Sequence, residues 1–316
     1  MARTLRSPAV ADALEAPPPE GRRGSVAAGL LRTARIRQWP KNVLVFAAPG
    51  AAGVLTPGAA LWRTLVAVAL FCLVSSGTYF LNDALDVQAD RLHPTKRFRP
   101  VAAGIISVRT AVIAGVSLMA VSLAAGTALR WRLGVVLAIY IAVQFAYSFY
   151  FKHQPIYDLA AVAAGFVLRA LAGAVAVPVR VSQWFLIVAT FGSLLMVTGK
   201  RVAEHAELGD ERGAHRATLD EYSSTFLRTV LAISAACAIL GYCLWAFSFE
   251  TARVHHQHDQ IWFQLSIVPV MIALLRFTFL VEAGKGAKPE ELVLADRPLQ
   301  MLGVVWAVLF AIGVYG

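Results

Sequence analysis

The chain has 316 residues, of which 58% are hydrophobic and 15% are charged, and its mean hydropathy is +0.63. A soluble domain is about half apolar and about a quarter charged, so this composition excludes an ordinary soluble globular protein. The formal net charge of +10 would suggest nucleic-acid binding in a soluble chain. Here the Lys and Arg residues lie next to apolar stretches, where they set membrane orientation. We therefore predict an all-α, polytopic membrane protein in a lipid bilayer, with no nucleic-acid partner.

Two regions follow from the distribution of apolar residues. Residues 1–28 are rich in Pro, Ala and Arg and contain no apolar stretch, which predicts a disordered cytoplasmic tail. Residues 29–316 are expected to form one domain with nine membrane-spanning helices. The predicted spans are 42–57, 60–81, 106–129, 133–151, 156–178, 182–199, 226–249, 261–281 and 299–315. The first is the weakest, because Pro49, Gly50 and Gly53 interrupt it.

The orientation of the spans follows from the basic residues. Most of the 29 Lys and Arg residues fall in segments on one side of the predicted bundle, namely 1–41, 91–109, 152, 200–228 and 285–297. Cytoplasmic segments carry the excess of Lys and Arg in membrane proteins. This asymmetry places the N-terminus in the cytoplasm and the C-terminus outside.

The densest polar cluster follows the second predicted span. Its members are a carboxamide and three carboxylates, Asn82, Asp83, Asp86 and Asp90. On a continuous helix, spacings of three and four residues allow all four to share one face. Carboxylates at a membrane edge are costly and usually functional, and Mg²⁺ is commonly held by one or two carboxylates with phosphate oxygens completing its shell. We therefore predict that Asp83, Asp86 and Asp90 bind Mg²⁺ and serve catalysis, with Asn82 assisting.

Basic residues follow the acidic motif at once. Lys96, Arg97 and Arg99 are candidates to hold phosphate groups, and a guanidinium binds two phosphate oxygens in a fixed fork. Acidic residues followed by basic ones at the mouth of a helix bundle indicate a magnesium–diphosphate site.

Two further polar clusters lie on the same predicted side of the membrane. Tyr147, Lys152 and Asp158 surround the loop after the fourth span, and Lys200 and Arg201 follow the sixth. Aromatic and Lys residues at a membrane boundary are often only interfacial anchors, and charged inner loops often serve only orientation. Both interpretations therefore stay open for these clusters, although Asp158 is expected to lie at the bilayer edge and to need a cation.

The motifs resemble those of the UbiA-type intramembrane prenyltransferases. The resemblance rests on Asn82-Asp83-x-x-Asp86-x-x-x-Asp90 followed by Arg97-x-Arg99-Pro100, and it extends over residues 30–316. It implies a nine-helix bundle whose polar cap faces the cytoplasm, a plasma-membrane location and Mg²⁺ as cofactor. It is also compatible with a homo-oligomer.

One branch of that family, which transfers phosphoribose to decaprenyl phosphate, is more similar still. The similarity includes Tyr147-Ser148 with Lys152-His153-Gln154-Pro155, Gly199-Lys200-Arg201, and Trp39-Pro40-Lys41-Asn42 before the first span. Most members of the wider family carry a second aspartate-rich motif where this chain has Lys200-Arg201-Val202-Ala203-Glu204. The resemblance implies transfer of 5-phosphoribose from phosphoribosyl pyrophosphate to a polyprenyl phosphate, for cell-wall arabinan synthesis. The substrate-binding residues that it implies are Lys41, Asn42, Asn82, Lys96, Arg97, Arg99, Tyr147, Lys152, Asp158, Lys200 and Arg201.

Two alternative functions are weighed against this one. A UbiA-type enzyme that moves a prenyl group from its diphosphate to an aromatic acceptor would share the fold and Mg²⁺, but the missing second acidic motif argues against it. An ion-coupled transporter would place carboxylates at the centres of its spans, whereas these lie at the cytoplasmic edge beside a basic run.

Overall fold

The computed structural model describes residues 25–208, 217–248, 260–285 and 289–315, and every regular element within them is helical. Most of the predicted tail, residues 1–24, lies outside this part of the chain. The remainder of the predicted tail differs from the expectation, because a short helix, Val26–Thr33, begins before residue 29.

Eight of the described helices are long and apolar enough to cross a membrane. We label them in chain order: α1 Ala59–Leu85, α2 Val108–Leu129, α3 Trp131–Phe149, α4 Tyr157–Ala176, α5 Gln183–Leu208, α6 Ser224–Ala246, α7 Gln260–Gly284 and α8 Arg297–Tyr315. They match eight of the nine predicted spans within a few residues, except that α5 continues nine residues past its predicted end. Charged residues do not stop this helix, because Glu204 pairs with Lys200 and Arg201 one turn earlier.

The segment predicted as the first span has a different build. A 3₁₀ helix, Ile36–Phe46, contains Pro40 and passes directly into a short α-helix, Ala47–Ala51. Proline cannot donate a backbone hydrogen bond and interrupts regular helix. Neither piece is among the eight membrane-length helices of the described residues.

This broken segment packs between α1 and α4. The approach to α4 is so close that a Cβ atom on Gly173 would lie 1.8 Å from the carbonyl oxygen of Val45. Glycine at 173 is therefore a condition for seating the segment in the bundle.

The long helices pack in chain order, each against the next, and α4 also contacts α1. Small residues allow some of these contacts, as is typical in membranes. A Cβ atom on Gly77 of α1 would lie 2.8 Å from the carbonyl oxygen of Gly115 on α2. Large apolar side chains remain on the outer surface, for example Met301 and Val304 on α8, which are 68% and 63% exposed. Such a surface suits lipid contact.

The polar motifs are brought to one end of this bundle by the ends of three helices and by the C-terminal part of α5. Helix α1 ends at Leu85, and after Asp86 a short helix, Val87–Leu92, continues the chain. Helix α3 ends at Phe149, and α4 begins at Tyr157. Hydrogen bonds and ion pairs connect these ends to one another and to α5.

Candidate functional site

Asp83 and Asp90 converge on one guanidinium. Arg99 Nη1 lies 2.7 Å from Asp90 Oδ2 and 3.3 Å from Asp83 Oδ1. Both carboxylates are buried, at 2% and 3% exposure. Burying a carboxylate is costly unless a cation compensates it, so Arg99 stabilises the acidic motif as it is folded here.

A second guanidinium, that of Arg35, completes this arrangement and was missed by the sequence interpretation. Its Nη2 donates to Asp83 Oδ1 at 2.7 Å, and its Cζ lies 4.7 Å from the centre of the Tyr79 ring. Arg35 links the helix Val26–Thr33 to the 3₁₀ segment with φ of 52° and ψ of 50°. The only sequence signal was its place in a basic stretch before the first span, which orientation alone explains equally well.

A cleft of about 250 Å³ opens beside these pairs. It is lined by Arg32, Arg35, Asp83, Thr95, Phe98, Arg99 and Pro100. Three guanidinium groups against one carboxylate give the cleft a cationic lining, which suits a phosphorylated ligand.

Asn82 faces the last turn of α3, and Asp86 faces the loop that follows it. The hydroxyl of Ser148 donates to Asn82 Oδ1 at 2.7 Å, and Lys152 Nζ lies 3.2 Å from Asp86 Oδ1. The four residues of the motif are therefore divided between two sets of partners. The expectation of one shared face assumed a continuous helix, and the helix break at Asp86 removes that assumption.

A third network joins the start of α4 to α5. Asp158 is fully buried and accepts hydrogen bonds from Arg201 Nε at 3.3 Å and from the hydroxyl of Tyr222. Arg201 also donates to Glu204 at 2.7 Å, and Tyr147 is half-buried near the end of α3. Burial raises the pKa of Tyr222, and its hydrogen bond to Asp158 raises that pKa further. Lys200 is more exposed and lies 3.8 Å from Glu204.

The polar end of the bundle, formed by residues 82–99, 148–158 and 200–204, is called the cap. The remaining predicted site residues are distributed between this cap and the interior of the bundle. Lys96 and Arg97 are half-buried in the turn Lys96–Phe98, with Arg97 Cζ 4.9 Å from the centre of the Phe98 ring. Lys41 is half-buried in the 3₁₀ segment. Asn42 is not brought to the cap, because its Oδ1 accepts from Arg169 Nε at 2.8 Å inside the bundle.

Arg169 has a buried environment of neutral groups and aromatic rings. It donates to the carbonyl oxygen of Gly165 at 2.6 Å and to the Tyr140 hydroxyl at 3.2 Å. The rings of Phe71, Tyr140 and Phe166 lie within 6 Å of its Cζ, so cation–π attraction helps to stabilise the charge. Asn42 and Arg169 thus tie the broken segment to α4.

The oxygen donors of the cap fit a hard divalent cation in part. Asp83 and Asp90 both contact the guanidinium of Arg99, which shows that their oxygens can share one cation. Mg²⁺ needs only one or two carboxylates when phosphates complete its shell. Asp86 faces Lys152 instead. Accordingly, no group of three His, Cys, Asp or Glu side chains in the described ranges is close enough to hold a metal ion.

Comparison with known proteins identifies the family. The model of the UbiA prenyltransferase family matches residues 43–312. The chain belongs to the UbiA prenyltransferase family. With its eight membrane-length helices, this UbiA protein is a multi-pass membrane protein.

Two curated relatives of this UbiA protein are similar over nearly their whole length. The decaprenyl-phosphate phosphoribosyltransferase of Corynebacterium glutamicum is 43% identical, with 92% of this chain and 88% of the relative aligned. The protein of the same name from Mycolicibacterium smegmatis is 42% identical, with coverage of 95% and 97%.

A solved structure has a similar fold. A UbiA homolog from Archaeoglobus fulgidus, bound to DMAPP and Mg²⁺, superposes on this UbiA protein with a TM-score of 0.68 and 20% identity, covering 90% of this chain and 97% of that one.

Proposed function

We propose that this UbiA protein transfers 5-phosphoribose from phosphoribosyl pyrophosphate to a polyprenyl phosphate, releasing pyrophosphate. The observation that carries the proposal is the convergence of acidic and basic side chains from three separate parts of the chain, around residues 82–99, 148–158 and 200–204. The two relatives named above support the choice of substrates, because their names state this donor group and this acceptor. The role in cell-wall arabinan synthesis belongs to the same proposal.

The reaction forms one bond and breaks one bond at the anomeric carbon of the donor. A phosphate oxygen of the acceptor attacks C1 of the ribose, and the bond from C1 to the pyrophosphate oxygen breaks with its electron pair leaving on pyrophosphate. A phosphate monoester is already largely a dianion near neutral pH, so no general base is needed. The protein contributes positioning and charge stabilisation.

The acidic motif is proposed to bind the metal that accompanies the donor diphosphate. Mg²⁺, when bound, would offset the negative charge that develops on the leaving pyrophosphate. Both Asp83 and Asp90 contact Arg99, and this shared contact supports the proposal that they bind one cation. Asp86 is the third proposed ligand, and Asn82 supports the motif through Ser148.

The basic side chains around the acidic motif are proposed to hold the phosphate groups. Arg35 and Arg99 line the cationic cleft, so they are the proposed contacts for the donor. Lys152 lies beside Asp86, and Lys200 is exposed near Glu204. Lys41, Lys96, Arg97 and Tyr147 stay proposed substrate contacts on the strength of the resemblance. Asn42 is left out of this set, because it is buried inside the bundle and accepts from Arg169. The isoprenoid chain would lie along apolar helix surfaces open to the bilayer.

A direct assay tests the function. Purified protein is incubated with phosphoribosyl pyrophosphate, Mg²⁺ and a polyprenyl phosphate, and pyrophosphate release is measured together with the mass of the lipid product. We expect both products to form and a chelator to abolish them. Pyrophosphate release without a phosphoribosylated lipid would contradict the transfer.

A binding experiment separates the proposed donor from a prenyl diphosphate. A ligand that binds only the folded state raises the thermal midpoint, so phosphoribosyl pyrophosphate with Mg²⁺ is expected to protect more than geranyl or farnesyl diphosphate with Mg²⁺. The reverse order would favour an aromatic prenyltransferase.

The same proposal includes nine crossings of the plasma membrane with the polar cap in the cytoplasm. The broken segment 36–51 would provide the first crossing, together with its flanks. Two exposed positions test the orientation after the native cysteines are replaced: Leu92, near the acidic motif, and Trp131, at the start of α3. An impermeant thiol reagent is expected to label Trp131→Cys in intact cells and Leu92→Cys only after permeabilisation. Labelling of Leu92→Cys in intact cells would contradict the proposed orientation.

A further inference from the structure

A tight turn with an unusual backbone conformation precedes α4. The N–H of Tyr157 donates to the carbonyl oxygen of Pro155 at 2.8 Å, and Ile156 between them has φ of 68° and ψ of −49°. This is a γ-turn of the rare, strained kind. Positive φ is strongly disfavoured for a β-branched residue, so contacts from elsewhere must hold Ile156 in this conformation.

Tyr222 provides those contacts from a distant part of the chain. Its hydroxyl oxygen accepts the backbone N–H of Ile156 at 2.5 Å and donates its proton to Asp158 Oδ1 at 2.5 Å. The side chain is only 3% exposed. Its ring stacks on Phe226, with centroids 5.7 Å apart, and its carbonyl oxygen lies 3.0 Å from His205 Nε2. The ring and the backbone of Tyr222 are therefore both held in place, which gives its hydroxyl a defined position beside the turn.

Asp158 is fully engaged by protein groups. Tyr222 occupies Oδ1 and Arg201 occupies Oδ2, and the residue is 0% exposed. Arg201 is itself only 3% exposed and also pairs with Glu204. Because both side chains are buried and paired with protein groups, Asp158 and Arg201 stabilise the loop and are not exposed to a ligand.

A cation that faces the acidic motif lies close to this turn in the chain. Lys152 lies in the short 3₁₀ turn Phe151–His153, four residues before Ile156, and its Nζ lies 3.2 Å from Asp86 Oδ1. If the backbone at Ile156 relaxed to negative φ, the chain direction between α3 and α4 would change and Lys152 would shift with it.

We propose that Tyr222 is a positioning residue for the donor site: its hydroxyl holds the γ-turn at Ile156 and thereby places Lys152 against the acidic motif. Asp158 and Arg201 support the same turn instead of binding substrate. This inference rests on the proposed function, because it assigns Tyr222 to the affinity for the phosphorylated donor.

Tyr222→Phe tests the proposal by removing the hydroxyl alone. We expect the KM for phosphoribosyl pyrophosphate to rise roughly tenfold, on the scale of a lost buried hydrogen bond, with a smaller change in kcat. Tyr157→Phe is the matched control, since Tyr157 is 58% exposed and keeps its ring contact with Phe151 as a phenylalanine. Its KM should be that of the wild type.

A second change distinguishes the positioning role from a general structural one. Glycine adopts positive φ without penalty, so adding Ile156→Gly to Tyr222→Phe is expected to recover part of the donor affinity. Ile156→Ala in the same background keeps a Cβ atom and should not recover it. Equal KM values for the Gly and Ala double variants would overturn the proposal.

The outcomes are separable from those for the function itself. If the wild type releases no pyrophosphate from this donor, the proposed function fails and the inference fails with it. If the wild type is active and Tyr222→Phe keeps its KM within twofold, the function stands and the positioning role is wrong. Should Tyr222→Phe not fold, Asp158→Asn alters the same hydrogen bond from its other partner, and an unchanged KM in that variant overturns the role.

Discussion

Lys152 Nζ lies 3.2 Å from Asp86 Oδ1, although the two residues are 66 positions apart in the chain. The side chains are 30% and 40% exposed. An ion pair this accessible contributes at most about 1 kcal/mol to stability. The pair therefore contributes little to the stability of the fold, and its exposed charges are better suited to binding charged ligands.

Asp86→Asn is expected to separate these roles. The amide keeps the shape but removes the negative charge, and turnover should fall by at least ~100-fold, on the scale of lost transition-state charge stabilisation. The thermal midpoint should change little. The matched control is Glu282→Gln, which breaks the exposed ion pair with Arg228 at 3.3 Å and should leave turnover unchanged. Asp86→Asn with more than half of wild-type activity at saturating Mg²⁺ would remove Asp86 from the site.

Arg99→Lys probes the guanidinium that bridges Asp83 and Asp90. Lysine keeps the positive charge, so membrane orientation should not change, but an ammonium cannot reproduce the planar fork. We expect donor affinity or turnover to fall by ~10-fold or more, because a hydrogen bond to a charged group contributes about 1.5–3 kcal/mol. The measurement is steady-state kinetics at varied concentrations of the donor. Arg130→Lys, between α2 and α3, is the control, and equal small effects at both positions would reduce Arg99 to an orientation signal.

Gly173→Ala tests the seating of the broken segment on α4. The new Cβ atom would overlap the carbonyl oxygen of Val45, and backbone must move to admit it, so the thermal midpoint should fall clearly. Gly192→Ala on α5 is the matched control, because a Cβ atom there meets nothing within 4 Å. Alanine favours helix over glycine by about 1 kcal/mol, so this control should be neutral or stabilising. A Gly173→Ala protein as stable as the wild type would contradict the close approach.

Tyr222 predicts a specific loss of stability in alkaline solution. Its pKa is raised in the folded protein by burial and by the hydrogen bond to Asp158. A group whose folded pKa is raised contributes stability that is complete below the unfolded pKa, about 10 for tyrosine, and that is lost as pH rises toward the folded pKa. The thermal midpoint of the wild type should therefore approach that of Tyr222→Phe as pH rises above about 10. A constant difference between the two proteins across that range would contradict the burial of this hydroxyl.

The sequence predicted the long helices well because their signal is local. Each needs only a run of apolar residues long enough for the bilayer, and eight such runs became α1 to α8. The segment from Ile36 to Ala51 was harder to predict, because its form depends on Pro40 and on packing against Gly173. The amino-acid composition of the segment contains no information about that packing.

The side-chain pairing in the cap was predictable only in outline. Residue spacing identified the acidic motif and the basic run, but not that Asp86 would end a helix and turn toward Lys152. Arg35 joined Asp83 from 48 positions away, and Tyr222 reached Ile156 from 66 away. Contacts at such separations depend on tertiary structure, and no periodicity encodes them.

The pairing of Asp83, Asp86 and Asp90 with Arg35, Arg99 and Lys152 has an electrostatic consequence. These ion pairs contain three negative and three positive charges, and Arg32 in the adjoining cleft adds a further positive charge. A divalent cation arriving alone would increase the positive excess, and a diphosphate arriving alone would leave an excess of negative charge, both costly at a partly buried site. Arriving together, the two nearly cancel. Metal and donor should therefore bind with positive cooperativity, each raising the affinity for the other by the same factor.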